Sequence, residues 1–103
     1  YEIEANNIIQ NLNNENKILI VDMKSNGIDA TIIRYHLDGK IEADYVSPLH
    51  YKKQLNQEII DNWLKKYSFV YVYFLPNSVL SLLSESKHAQ SSRVVFGPRN
   101  KLN

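Results

Sequence analysis

Two uninterrupted apolar runs constrain this chain more than any other feature. One is Ile18-Leu19-Ile20-Val21, closed by Asp22; the other is Phe69-Val70-Tyr71-Val72-Tyr73-Phe74-Leu75, closed by Pro76. A strand with one wet face alternates apolar and polar residues, whereas a run without alternation belongs to a strand covered on both faces. A chain of 103 residues has room for a single core. Both runs therefore belong at the centre of one sheet, adjacent and parallel, joined through a crossover helix.

The remaining elements follow from periodicity. Leu55, Ile59, Ile60, Trp63, Leu64 and Tyr67 recur at helical spacing and predict a helix over residues 52–66. Ala5, Ile8, Ile9 and Leu12 mark one face of a helix over residues 1–12, ended by an asparagine-rich cluster. Val79, Leu80, Leu82 and Leu83 mark a short helix that Asn77 or Ser78 can cap. Residues 30–37 set Thr31, Ile33, Tyr35 and Leu37 against Ile32, Arg34 and His36, the alternation of a strand. Asp38-Gly39 then reads as a type I′ hairpin into a third strand over residues 40–46, which Ser47-Pro48 stops. Residues 93–96 form a closing strand before Gly97-Pro98.

The expected fold class is accordingly α/β: a mixed sheet with an antiparallel three-strand meander, followed by helix, strand, helix and strand, plus an N-terminal helix. A single domain spans residues 1–103, with the N-terminal helix over 1–13, the α/β core over 17–96 and a polar tail over 97–103.

Composition narrows the chemistry. Gly27, Gly39 and Gly97 are isolated and make no phosphate-binding loop or dinucleotide fingerprint. Without cysteine there is no disulfide, no thiolate metal site and no cysteine nucleophile. His36, His50 and His88 stand at unrelated spacings and read as surface residues. The serines between Ser78 and Ser92 lack a nucleophile-elbow motif and read as caps and loop residues. A formal charge of +1 is not the basic footprint of a dedicated nucleic-acid binder, so nucleic acid is the lesser alternative among partners. No stretch approaches the roughly 20 apolar residues of a membrane span. The chain opens at Tyr1 with neither a methionine nor a leader-like segment, which reads as an excised piece from a cytoplasmic setting.

The run Ile18-Leu19-Ile20-Val21-Asp22, its following turn and strand, and Asp38-Gly39-Lys40-Ile41 together resemble the opening of ribonuclease-H-like and actin-like domains. The resemblance is one of topology. It extends to cytoplasmic domains of pilus and secretion assembly proteins, which use such a fold as a docking platform. In a nuclease of that kind, three or four carboxylates hold two Mg²⁺ ions about 4 Å apart. The resemblance implies Asp22 as the first carboxylate and Glu58 as the second, while the third position falls near Asn77, a neutral amide. An actin-like ATPase would need a glycine two residues after its aspartate, where this chain has Lys24.

The functional expectation is a non-catalytic protein-interaction or scaffold domain of a larger assembly, with neither cofactor nor metal. Its alternative is a divergent ribonuclease-H-like nuclease or nucleic-acid-binding domain using Asp22 and Glu58. The N-terminal helix either packs back on the sheet or meets a protein partner or second copy. Ile8, Ile9 and Leu12 are its interface candidates.

Overall fold

The computed structural model describes residues 1–51 and 53–100. Four helices and four strands alternate along it: α1 (Glu2–Asn11), β1 (Lys17–Asp22), α2 (Ile28–Leu37), β2 (Glu42–Val46), α3 (Gln57–Lys66), β3 (Phe69–Phe74), α4 (Asn77–Glu85) and β4 (Arg93–Phe96). The strands form one sheet in the order β2-β1-β3-β4, and every neighbouring pair is parallel.

The two apolar runs are the central strands, side by side and parallel, with Leu19 opposite Val70 and Val21 opposite Val72. Their side chains alternate between two cores. Ile18, Ile20, Phe69, Tyr71 and Tyr73 pack under α1 and α2; Leu19, Val21, Val70 and Val72 pack under α3 and α4. This layering follows from connection handedness. The β1-α2-β2 crossover runs one way along the sheet, whereas β2-α3-β3 and β3-α4-β4 run the other, so α2 is placed on the opposite face from α3 and α4.

The expected antiparallel meander is absent, and with it the mixed sheet. Residues 30–37 lie within α2, not in a strand, and β1 meets β2 in parallel register from Lys17↔Glu42 to Val21↔Val46. The segment fits both periods because α2 is apolar on two sides. Ala30, Ile33 and Leu37 face the core, while Ile28 and Tyr35 stand in solvent at 64% and 77% exposure. That outward stripe fills the positions that would otherwise have marked a helix by their polarity. The hairpin signal has a helical use as well. Gly39, at φ 78°, lies just past the end of α2, where Lys40 and Ile41 donate back to the Leu37 carbonyl. Gly27, at φ 89°, supplies the turn into the same helix. A Cβ there would come within 2.6 Å of the Tyr45 ring.

Two boundaries also move. The helix expected from residue 52 begins at Gln57, capped by the Asn56 side chain, and Lys52 lies outside the described residues. α4 begins directly after Pro76 with no side-chain cap, so neither Asn77 nor Ser78 serves as one. In the expected tail, residues 98–100 form a short 3-10 turn, while residues 101–103 lie outside the described residues.

α1 completes the first core. Ala5 and Ile8 are buried at 1% and 0% exposure, and Ile9 and Leu12 pack half-buried against the same cluster. Its far end is tied to β4: Arg93 donates to the Asn11 carbonyl and forms an ion pair of 2.7 Å with Glu15. No helix among the described residues is long and apolar enough to cross a membrane.

Candidate functional site

In an open parallel sheet, adjacent strands whose crossovers leave on opposite faces part at their carboxyl ends, opening a crevice. Here that point lies between β1 and β3, so the loops after β1, β2 and β3 are the place to look.

The loop after β1 is built on Asp22, which is fully buried. One carboxylate oxygen accepts from the amides of Lys24 (3.1 Å) and Ser25 (3.0 Å). The other accepts from the Ser25 hydroxyl (2.6 Å) and from the Ala30 amide within α2 (3.2 Å). Ser25 Oγ then accepts from the Asp29 amide. Asp22 is thus a strand-end cap that fixes the loop and the start of α2, and both of its oxygens are spent on that task. Glu58, its suggested partner, is exposed in the first turn of α3, on the other side of the sheet from Ala30. The two acids are separated by the sheet. Among the described residues no group of three or more His, Asp or Glu side chains is placed to hold a metal ion.

A second carboxylate at this edge is equally committed. Asp29 accepts from the Tyr1 hydroxyl (2.6 Å) and the Tyr73 hydroxyl (2.9 Å). Burial pushes its carboxyl up, but the two hydroxyls and the nearby Arg99 cation outweigh that and leave it below the ordinary aspartate value.

After β2, Ser47 and His50 form a reciprocal cap around the 3-10 turn of residues 48–50. The Ser47 amide donates to His50 Nδ1 (2.9 Å), and the Leu49 amide donates to Ser47 Oγ (3.3 Å). His50 is occupied as a cap. Next to it, Tyr51 accepts from the Trp63 indole N–H at 2.8 Å, which ties Tyr51 to α3. After β3, the Asn100 side chain accepts from the Leu75 amide (2.5 Å) and donates to the Leu75 carbonyl (3.0 Å), holding the turn of residues 98–100 against the strand end.

Between these three loops lies a cleft of about 320 Å³. Met23, Pro48, Leu55, Pro76 and Val79 give it apolar walls. Tyr51, Gln54 and Ser78 add neutral polar groups, and among the described residues Lys53 is the one charged side chain in its lining. Sequence reasoning did not bring these residues together as a site: Leu55 and Val79 read as helix faces, Ser78 as a possible cap and Pro76 as a strand end, while Lys53 and Gln54 fell in a helix expected from residue 52 that begins only at Gln57.

Two arginines near the end of the described chain are engaged within it. Arg93 pairs with Glu15, and Arg99 lies over the Tyr73 ring at 5.8 Å, where its charge acts on Asp29. Of the interface candidates, Ile8 is wholly buried, with Ile9 and Leu12 packed beside it in the core of their own chain.

Buried tyrosines set an alkaline limit on the fold. Burial pushes the Tyr71 hydroxyl up to about 12, and among the described residues it has no hydrogen-bond partner. Asn7 works against this shift without reaching hydrogen-bonding geometry. Tyr67 and Tyr73 are raised in the same direction, by burial first and then by accepting carboxylates at Asp44 and Asp29. A phenol raised in the folded state contributes stability that is complete below its unfolded value near 10 and is lost as pH climbs through the folded value. Tyr71 alone accounts for about 2–3 kcal/mol of loss by pH 12. Circular dichroism followed from pH 8 upward will show unfolding that begins above about pH 10. The Tyr71→Phe protein will unfold at higher pH than the parent.

Comparison with family models, with curated proteins and with solved structures returned no match. The all-parallel ladder also lacks the antiparallel meander on which the ribonuclease-H-like resemblance rests.

Proposed function

We propose that this is a binding domain without turnover, and that its ligand is a small molecule with an apolar body and one anionic group, carboxylate or phosphate. The observation that carries this reading is the position of the cleft, at the carboxyl ends of β1 and β3 where their crossovers part. Its lining suits such a ligand: apolar walls for the body and a cation, Lys53, for the acid. The commitment of Asp22 and Asp29 to capping and tyrosine hydroxyls supports binding over catalysis, because neither carboxylate is left to act as a base.

Trp63 provides the assay. It is the sole tryptophan, and its indole N–H rests on Tyr51 at the cleft wall, so filling the cleft alters its emission. Phenyl phosphate titrated into the chain is expected to change that emission saturably, with Kd near or below about 1 mM. Benzamide, neutral and of similar shape, will bind more weakly. Lys53→Met will weaken phenyl phosphate by about 5-fold or more while leaving benzamide unchanged. A flat titration, or equal affinities for the two probes, would sink the proposal.

A further inference from the structure

The two edges of the sheet are finished differently. β2 carries Glu42 and Asp44, bridged by Lys17 at 3.6 and 3.3 Å. Charges of this kind guard an edge against strand addition. β4 presents Arg93, Val94, Val95 and Phe96, and its one charge is drawn inward: Arg93 lies over the Phe69 ring at 5.0 Å and pairs with Glu15. Among the described residues, no strand pairs with the outer side of β4. Phe96 stands 44% exposed at its end.

Beside this unguarded edge, on the α4 face, runs a groove of about 450 Å³ lined by Leu80, Leu83, Ala89, Val94 and Phe96 together with serine hydroxyls. Among the described residues no charged side chain enters its lining. One face thus holds a protruding aromatic ring, an apolar groove and an open ladder, the self-complementary set that a two-fold interface requires.

We infer that β4 is a homodimer interface, with a second copy of this chain as the occupant of the groove. The copies pair antiparallel through β4 about a two-fold axis normal to the sheet, giving one continuous eight-stranded sheet. Directly opposed residues on antiparallel strands face the same side. A two-fold axis at Val95 therefore sets Val95 against its own copy and each Phe96 against the other copy's Val94, in the groove that both residues line. Arg93 falls opposite Gly97, so no like charges meet. The formal charge of +1 leaves little repulsion between copies. A charged partner would find no counter-charge in this lining, and a second copy needs none. The groove shares no lining residue with the switch-point cleft, so this inference stands apart from the ligand reading.

Sedimentation equilibrium of the full chain is expected to show a monomer–dimer equilibrium with Kd in the range of about 1–100 μM. Phe96→Lys, at an exposed position, will keep the wild-type circular dichroism spectrum and weaken the dimer at least about 10-fold. The chain has no cysteine, so Val95→Cys supplies a single thiol at the proposed axis. Under mild oxidation it will cross-link to a covalent dimer faster than Glu42→Cys on the opposite edge. A wild-type chain that stays monomeric up to about 1 mM overturns the inference. So does a folded Phe96→Lys protein that dimerises as tightly as the parent, or cross-linking no faster at residue 95 than at residue 42.

Discussion

Removing residues 1–13 will leave a chain that does not fold. α1 sits on α2 and on the sheet with Ala5 and Ile8 fully covered, and its loss would bare Tyr71 and the apolar face of α2. A buried aliphatic side chain contributes about 1.5–3 kcal/mol, and a domain of this size has about 5–15 kcal/mol in all. The truncation also removes the Asn11 carbonyl to which Arg93 donates. The milder Ile8→Ala is expected to cost about 2–5 kcal/mol through lost contacts and a cavity. Thermal melts of both proteins check this. A cooperative transition in the truncated chain near the parent midpoint would remove α1 from the core and restore Ile8, Ile9 and Leu12 as candidates for an outside partner.

Asp22→Ala is the second large effect. It strands three amides and a hydroxyl, including the buried amide of Ala30 inside α2. Solvent can reach part of the loop but not that amide, so a cost of about 3 kcal/mol follows, a fall of about 10–20 °C in Tm. Asp22→Asn will also destabilise, because its amide nitrogen would face donors. If Asp22 were a metal ligand instead, its removal would relieve crowded charge and leave the apo-protein as stable or more so. The sign of the Tm change separates the two roles.

What could be read from the chain depended on how each residue's environment is written in its neighbours. Ile18 to Val21 and Val70 to Phe74 were legible as the central parallel pair because burial on both faces leaves no polar residue in either run. That Asp22 closes the first of these runs was legible too. α2 was not, because exposed Ile28 and Tyr35 and half-buried Ile32 add apolar residues outside its core face and imitate alternation across residues 30–37. Asp38-Gly39 misled for a related reason: a positive φ is needed at a helix end as well as in a hairpin, and the dipeptide does not say which. The cleft was invisible because tertiary folding assembles it from three loops, each without a period.

Asn100 gives the chain's last described turn an influence on the centre of the sheet. Its carboxamide takes the place of a peptide group beside Leu75, engaging both the N–H and the C=O of that residue. The Leu75 amide therefore exchanges its proton with solvent when Asn100 lets go, on the timescale of the terminal turn and not of global unfolding. Pro76, the next residue, is a wall of the cleft. Opening and closing of the final turn thus sets how long that wall holds its position, and ties the lifetime of anything lodged there to a segment that never touches it.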